Sequence, residues 1–226
     1  MIKIERTEVF NLEGAIRGAR NPMNSWDRMD STSDGQFVLG ANDLSLAQRL
    51  AKAGSDHRKY LRQIFVSVDI TAPLYWWKEY DTYKVGTVSN SCSTMHKIHA
   101  KEFDLDDFSN EHMLPTTLFR LRTIVECLNA NRKDFLETGN KEYWWQMIQL
   151  LPSSYNQLRT CTLSYETLLN QYCSRKNHKL DEWHTYCDWM LTLPYFPEIR
   201  NFIPTNIRKS CEWRVESGEI FYFFWS

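Results

Sequence analysis

Apolar and polar residues alternate through "KIERTEVFNL" (residues 3–12), which predicts an opening strand. The same period of two recurs in "RQIFVSVDITAP" (62–73), with Ile64, Val66, Val68 and Ile70 on one face. Pro73 suits the first turn of a helix over "LYWWKEYDTY" (74–83), ended by Gly86 and the small residues after it. The period changes to that of a helix in "PTTLFRLRTIVECLNANRKDFL" (115–136), where Leu118, Leu121, Ile124, Val125 and Leu128 make one stripe. Gly139 separates it from a second helix, "KEYWWQMIQLL" (141–151), stopped at Pro152.

Shorter elements fill the rest. Asp43 is expected to cap a helix over "LSLAQRLAKAG" (44–54), with Gly54 closing it. The polar stretch 20–36 and the segment from Lys84 to Cys92 read as loops. "YNQLRTCTL" (155–163) leans to strand, and "SYETLLNQYCS" (164–174) and "LDEWHTYCDWMLTL" (180–193) to helix. The closing "EIFYFFWS" (219–226) reads as a strand or a docked tail. Long helices against a modest sheet make an α/β or α+β chain.

Composition narrows the function classes. Of 226 residues, 42% are hydrophobic, enough for a real core in one domain or two small ones. A net charge of −1 provides no global field toward nucleic acid or anionic membranes, so neither is an expected partner. No apolar run has the length of a membrane span, and the charged "MIKIERTEVFNLEG" is unlike a secretory signal. Six scattered cysteines without a C-x-x-C pair point to free thiols in a cytoplasmic protein. Nine Trp, eleven Tyr and twelve Phe point to core and subunit interfaces before a stacking surface.

Common chemical signatures are missing. There is no G-x-G-x-x-G, no P-loop and no G-x-S-x-G elbow. His96 and His99 would share a helix face near His112 and Asp104, Asp106 and Asp107, yet no third ligand stands at a telling spacing, and no metal is expected. His184 borders Trp183, Tyr186 and Trp189 and reads as core-flanking. Two places remain: the loop Lys84–Cys92, and Arg175, a cation beyond the helix 164–174.

The order of those places resembles the flavin-dependent thymidylate synthases. In that family a strand ending near Pro and an aromatic helix precede R-H-R-x-x-S-x-N-E-x-S-x-R-Y. "ITAPLYWWKEYDTYKVGTVSNSCSTM" (70–95) lies against this pattern without a gap. "LLPSSYNQLRTCTLSYETLLNQYCSRKNHKLDEWHTY" (150–186) is similar to the family's second segment, and "IRGARN" and "AKAGSDH" to two earlier ones. The resemblance covers about residues 1–195 and rests on colinearity, since no single motif is strong.

The resemblance implies an α+β fold of long helices on a central, mostly antiparallel sheet over residues 1–226, and a homotetramer with active sites between subunits. It implies FAD as cofactor and a pyrimidine nucleotide of the dUMP kind as substrate. It places Lys84, Asn170 and His178 on the cofactor side, and Arg175, as phosphate ligand, with Glu79 and Thr87 on the substrate side.

Departures from the pattern bear on activity. Thr82, Tyr83 and Lys84 stand at the Arg-His-Arg, and Ser164 and Glu166 where the family has a flavin-binding Asn and Arg. A lysine lacks the planar fork that pairs bidentately with phosphate. Cys92, in place of the second Ser, is the candidate nucleophile. Its thiolate would add to C6 of a uracil ring, with Lys84 or His96 lowering its pKa. The alternative expectation is a non-catalytic homologue that reuses the fold as an oligomeric binding module.

Overall fold

The computed structural model describes residues 2–203. The C-terminal "EIFYFFWS" lies outside the described residues. In chain order the elements are β1 (Lys3–Phe10), α1 (Leu12–Ala19), α2 (Ala41–Lys52), β2 (Phe65–Pro73), α3 (Leu74–Tyr80) and β3 (Thr87–Ser91). They continue with α4 (Pro115–Thr138), α5 (Lys141–Leu150), β4 (Asn156–Ser164), α6 (Tyr165–Arg175), α7 (Asp181–Met190) and α8 (Phe196–Arg200).

The four strands form one antiparallel sheet in the order β1-β2-β4-β3. The alternation in β2 is what fixes its facing. Val66, Val68 and Ile70 are fully buried, and Leu163 and Cys161 lie opposite the first two on β4. A one-residue slip would turn this whole set to the other face. Pro73 ends β2 as the cap residue of α3, one position ahead of the expected first turn, because its fixed φ of −68° serves an extended residue as well.

The aromatic helix α3 is core. Trp76, Trp77 and Tyr80 are buried and meet Trp183 and Tyr186 of α7, with Trp76 and Trp183 ring centroids 4.8 Å apart. Such pairs contribute about 0.5–1.5 kcal/mol beyond burial. A second apolar cluster lies under the hairpin of α4 and α5, where Leu121, Val125 and Leu128 meet Met147, Phe103 and Phe108. The α4 stripe is therefore as expected, and Gly139 closes the helix at φ 67°.

Three local expectations need correction. Asp43 does not cap α2. The helix starts at Ala41, and the carboxylate that accepts the Asn42 and Asp43 amides, at 2.8 and 3.0 Å, is that of Asp30. Asp43 is instead buried on Arg20 and Ser31, at 2.6 and 2.5 Å. Helix α3 ends at Tyr80, six residues before Gly86, and the supposed loop contains β3, an edge strand paired to β4. His96 and His99 lie on no helix. The Ser93 hydroxyl pairs with His96 Nδ1 at 3.0 Å, and His99 packs on Phe135.

Candidate functional site

A cleft of about 480 Å³ opens where β3 begins beside the first turns of α6. One wall is Thr82, Tyr83, Lys84, Val85 and Gly86. The other is Ser164, Glu166, Thr167 and Asn170, with Arg62 and Phe65 at the end. The walls meet because β3 pairs to β4 and β4 runs directly into α6, so Thr87 stands opposite Leu163. Gly86, at φ 75°, lets the backbone pass Thr167: a Cβ there would lie 2.9 Å from the Thr167 hydroxyl oxygen. Ser164 caps α6, its side chain accepting from the Thr167 amide at 3.3 Å.

The charges of the region are mostly paired within the chain. Arg58, nearly buried, donates Nε to both Glu166 oxygens at 3.0 Å. Arg159 lies 4.2 Å over the Trp77 ring and bonds Asp81 at 2.8 Å and Gln157 at 3.0 Å. Arg175 donates Nη1 to Glu79 at 2.5 Å and Nε to the Tyr83 hydroxyl at 2.9 Å, with its guanidinium 4.9 Å over Trp183. Lys84 and Arg62 are the cleft cations without a carboxylate partner among the described residues; Arg62 donates to the Ser55 carbonyl at 2.9 Å. Burial, reinforced by the Arg175 charge, lowers the His178 pKa and keeps its ring neutral near pH 7.

The residues singled out in the sequence separate into three groups. Lys84 and Asn170 share the cleft. Arg175, Glu79 and His178 form a cluster of their own behind Tyr83, the residue that touches both. Thr87 sits in β3 with its hydroxyl buried and without a hydrogen-bond partner, and Cys92 follows the far end of that strand. Six residues at roughly 3.3 Å each put Cys92 about 20 Å along the chain from Gly86.

Within one chain, then, the length of β3 separates Lys84 from Cys92. Lys84 is at the opposite end of β3, and His96 is engaged by Ser93. Cys92 is exposed, its amide donating to Leu158 and its carbonyl accepting from Gln157. The sequence did not single out Tyr83 or the close approach of Gly86. A Gly just before a polar strand was the available signal. Among the described residues no group of three His, Cys, Asp or Glu side chains is placed to hold a metal, and no helix is long and apolar enough to cross a membrane.

No protein-family profile and no curated protein matches the chain in sequence. Solved structures do match in fold. Thymidylate Synthase X (ThyX) of Helicobacter pylori, in a complex with FAD and dUMP, superposes with a TM-score of 0.63 at 18% identity, over 90% of this chain and 97% of that one. The UMP/dUMP methylase PolB of Streptomyces cacaoi, bound to 5-Br dUMP, superposes with a TM-score of 0.62 at 14% identity, over 89% and 94%. Similarity of this extent gives the chain the α+β fold of the flavin-dependent thymidylate synthases.

Proposed function

We propose that this chain is a pyrimidine-nucleotide-binding protein of the thymidylate-synthase fold, and that a ligand of the dUMP kind occupies the cleft between residues 82–86 and α6. One observation carries the reading: the two segments that the sequence resemblance marks for ligands, 78 residues apart at Gly86 and Ser164, face each other across one cleft. Lys84 and Arg62 supply positive charge for a phosphate, and Asn170 an amide for a ring edge. Both structural neighbours are described with dUMP or its bromo analogue, which supports a pyrimidine in this cleft.

FAD fits the donor set poorly. A nucleotide phosphate and a flavin pyrophosphate together bring more negative charge than two unpaired cations match, and Arg58, Arg159 and Arg175 are already held by carboxylates. The internal pairing therefore favours the alternative in which the fold binds a nucleotide without flavin chemistry, and a Cys92-based addition has no support from the cleft geometry. The reading includes assembly of several copies; the exposed Leu114, Phe119 and Leu136 along the helical hairpin are consistent with a subunit contact.

Calorimetric titration with dUMP and with deoxyuridine, alongside the visible absorbance of the protein mixed with FAD, tests the reading. It expects saturable dUMP binding, weaker deoxyuridine binding and no perturbed flavin band. No heat with either pyrimidine overturns it; a bound flavin band restores the cofactor to the site.

A further inference from the structure

One row of residues crosses the open face of the sheet and ends in the cleft. Phe10, Phe65 and Ser164 stand directly opposite one another on β1, β2 and β4. Gly86 comes next, one residue before β3, where a Cβ would lie 4.0 Å from the Ser164 hydroxyl oxygen. The row therefore steps from two aromatic rings down to a hydroxymethyl group and a bare backbone. Strands lie about 5 Å apart, so the hollow over Ser164 and Gly86 begins one strand spacing from Phe65. Phe65 lines the cleft, and Phe10 is the next ring outward.

Packing within the chain does not account for Phe65. Its neighbours on the same face of β2 are Ser67, Asp69 and Thr71, while the core face is carried by Val66, Val68 and Ile70. Phe65 is 44% exposed and Phe10 47%, and neither belongs to one of the two apolar clusters. Val85, on the wall formed by residues 82–86, is 91% exposed. A lone exposed apolar side chain is ordinary surface. Here three surround one opening, and the cleft between them adds the Lys84 ammonium and the Asn170 amide. Apolar faces with a few polar groups are the composition of a small-molecule site. A ring lying in the hollow meets the π-face of Phe65, and planar bases stack on aromatic side chains whatever their hydrogen-bonding edge.

We infer that Phe65 is the residue that selects a planar heterocycle for this cleft, by stacking its ring on the base of the ligand, and that Phe10 continues the same apolar ledge outward. The inference rests on the nucleotide reading of the cleft and adds a specificity to it: a base is distinguished from a bare sugar phosphate. The cations serve the phosphate end of the ligand, and Phe65 serves the ring end. A subunit contact through Phe10 and Phe65 is the competing account. It requires that replacing Phe65 weaken assembly and affect ligands with and without a ring alike.

The probes are dUMP and 2-deoxyribose 5-phosphate, which has the sugar and phosphate without a ring, titrated calorimetrically against the full chain and its Phe65→Leu and Phe65→Tyr variants. Loss of a base–aromatic stack corresponds to at least about a five-fold rise in Kd. Phe65→Leu is expected to weaken dUMP by that factor and leave deoxyribose 5-phosphate unchanged, and Phe65→Tyr to bind dUMP as the unaltered chain does. In the unaltered chain the NMR signals of the Phe65 ring should shift with dUMP and not with deoxyribose 5-phosphate, a readout that needs no variant to fold. Unchanged dUMP affinity in Phe65→Leu overturns the inference. Equal weakening of both ligands also overturns it, and a fall in the sedimenting mass of the assembly then assigns the ring to a subunit contact. AMP separates the inference from the pyrimidine reading. Phe65-dependent AMP binding without dUMP binding removes the pyrimidine and keeps the ring ledge. Binding of dUMP that is indifferent to Phe65 does the reverse, and no binding of either nucleotide removes both.

Discussion

Replacing Lys84 with Met removes one of the two unpaired cleft cations and keeps the length of the side chain. A hydrogen bond to a charged group contributes about 1.5–3 kcal/mol. Lys84 is exposed, so solvent and salt screen it and the lower end of that range applies. About 1.5 kcal/mol corresponds to roughly a ten-fold rise in the Kd for dUMP. Deoxyuridine has no phosphate, so its affinity should be unchanged. Calorimetry with both ligands at low and high salt reads the two together, and the salt dependence of dUMP binding should flatten in the variant. Equal weakening for dUMP and deoxyuridine would show that Lys84 shapes the cleft and does not meet the phosphate. Unchanged dUMP binding in both Lys84→Met and Arg62→Met, with loss in Arg175→Met, would refute the assignment and put the phosphate on Arg175.

Gly86→Ala forces an L side chain to a φ of 75° with its Cβ 2.9 Å from the Thr167 hydroxyl oxygen, so a urea melt should show a loss of about 1–2 kcal/mol from the backbone conformation alone. The Thr160 hydroxyl, followed by Arg6, holds the Asp69 carboxyl below its ordinary 3.8. Its contribution is therefore complete above the unfolded value and is lost as pH falls through the folded one. Thr160→Val should flatten the acid limb of a stability–pH curve below pH 3.8, and an unchanged limb would count against that pairing. Burial pushes the Cys161 thiol up to about 11 and the Cys187 thiol up to about 12. A disulfide reagent near pH 8 should label Cys92, Cys127 and Cys173 in the folded protein and reach Cys161 and Cys187 only on unfolding.

Legibility followed burial. The alternation of Val66, Val68 and Ile70 was readable because one face of β2 is apolar and fully buried, while the other carries the polar Ser67, Asp69 and Thr71. The α4 stripe was readable for the same reason, as one side of a 24-residue helix covers a core. β3 left no such trace. Thr87–Ser91 is an exposed edge strand, and what makes it a strand is pairing to residues more than 60 positions away. Asp43 has the composition of a helix cap, but its partner is Arg20, 23 residues earlier, and the cap is contributed by Asp30.

The amino-acid sequence by itself determined the α+β character, the strand that leads into the aromatic helix, and the two segments that bring Lys84 and Asn170 to a common cleft. It could count cations but could not say which are free. Arg175 meets Glu79 across 96 positions, and Arg58 meets Glu166 across 108. A local pattern reports which face of an element is apolar, because neighbours on one element share its period. Charge pairing depends on distances between elements distant in sequence, and those exist only once the sheet has closed and α3, α6 and α7 have packed on it.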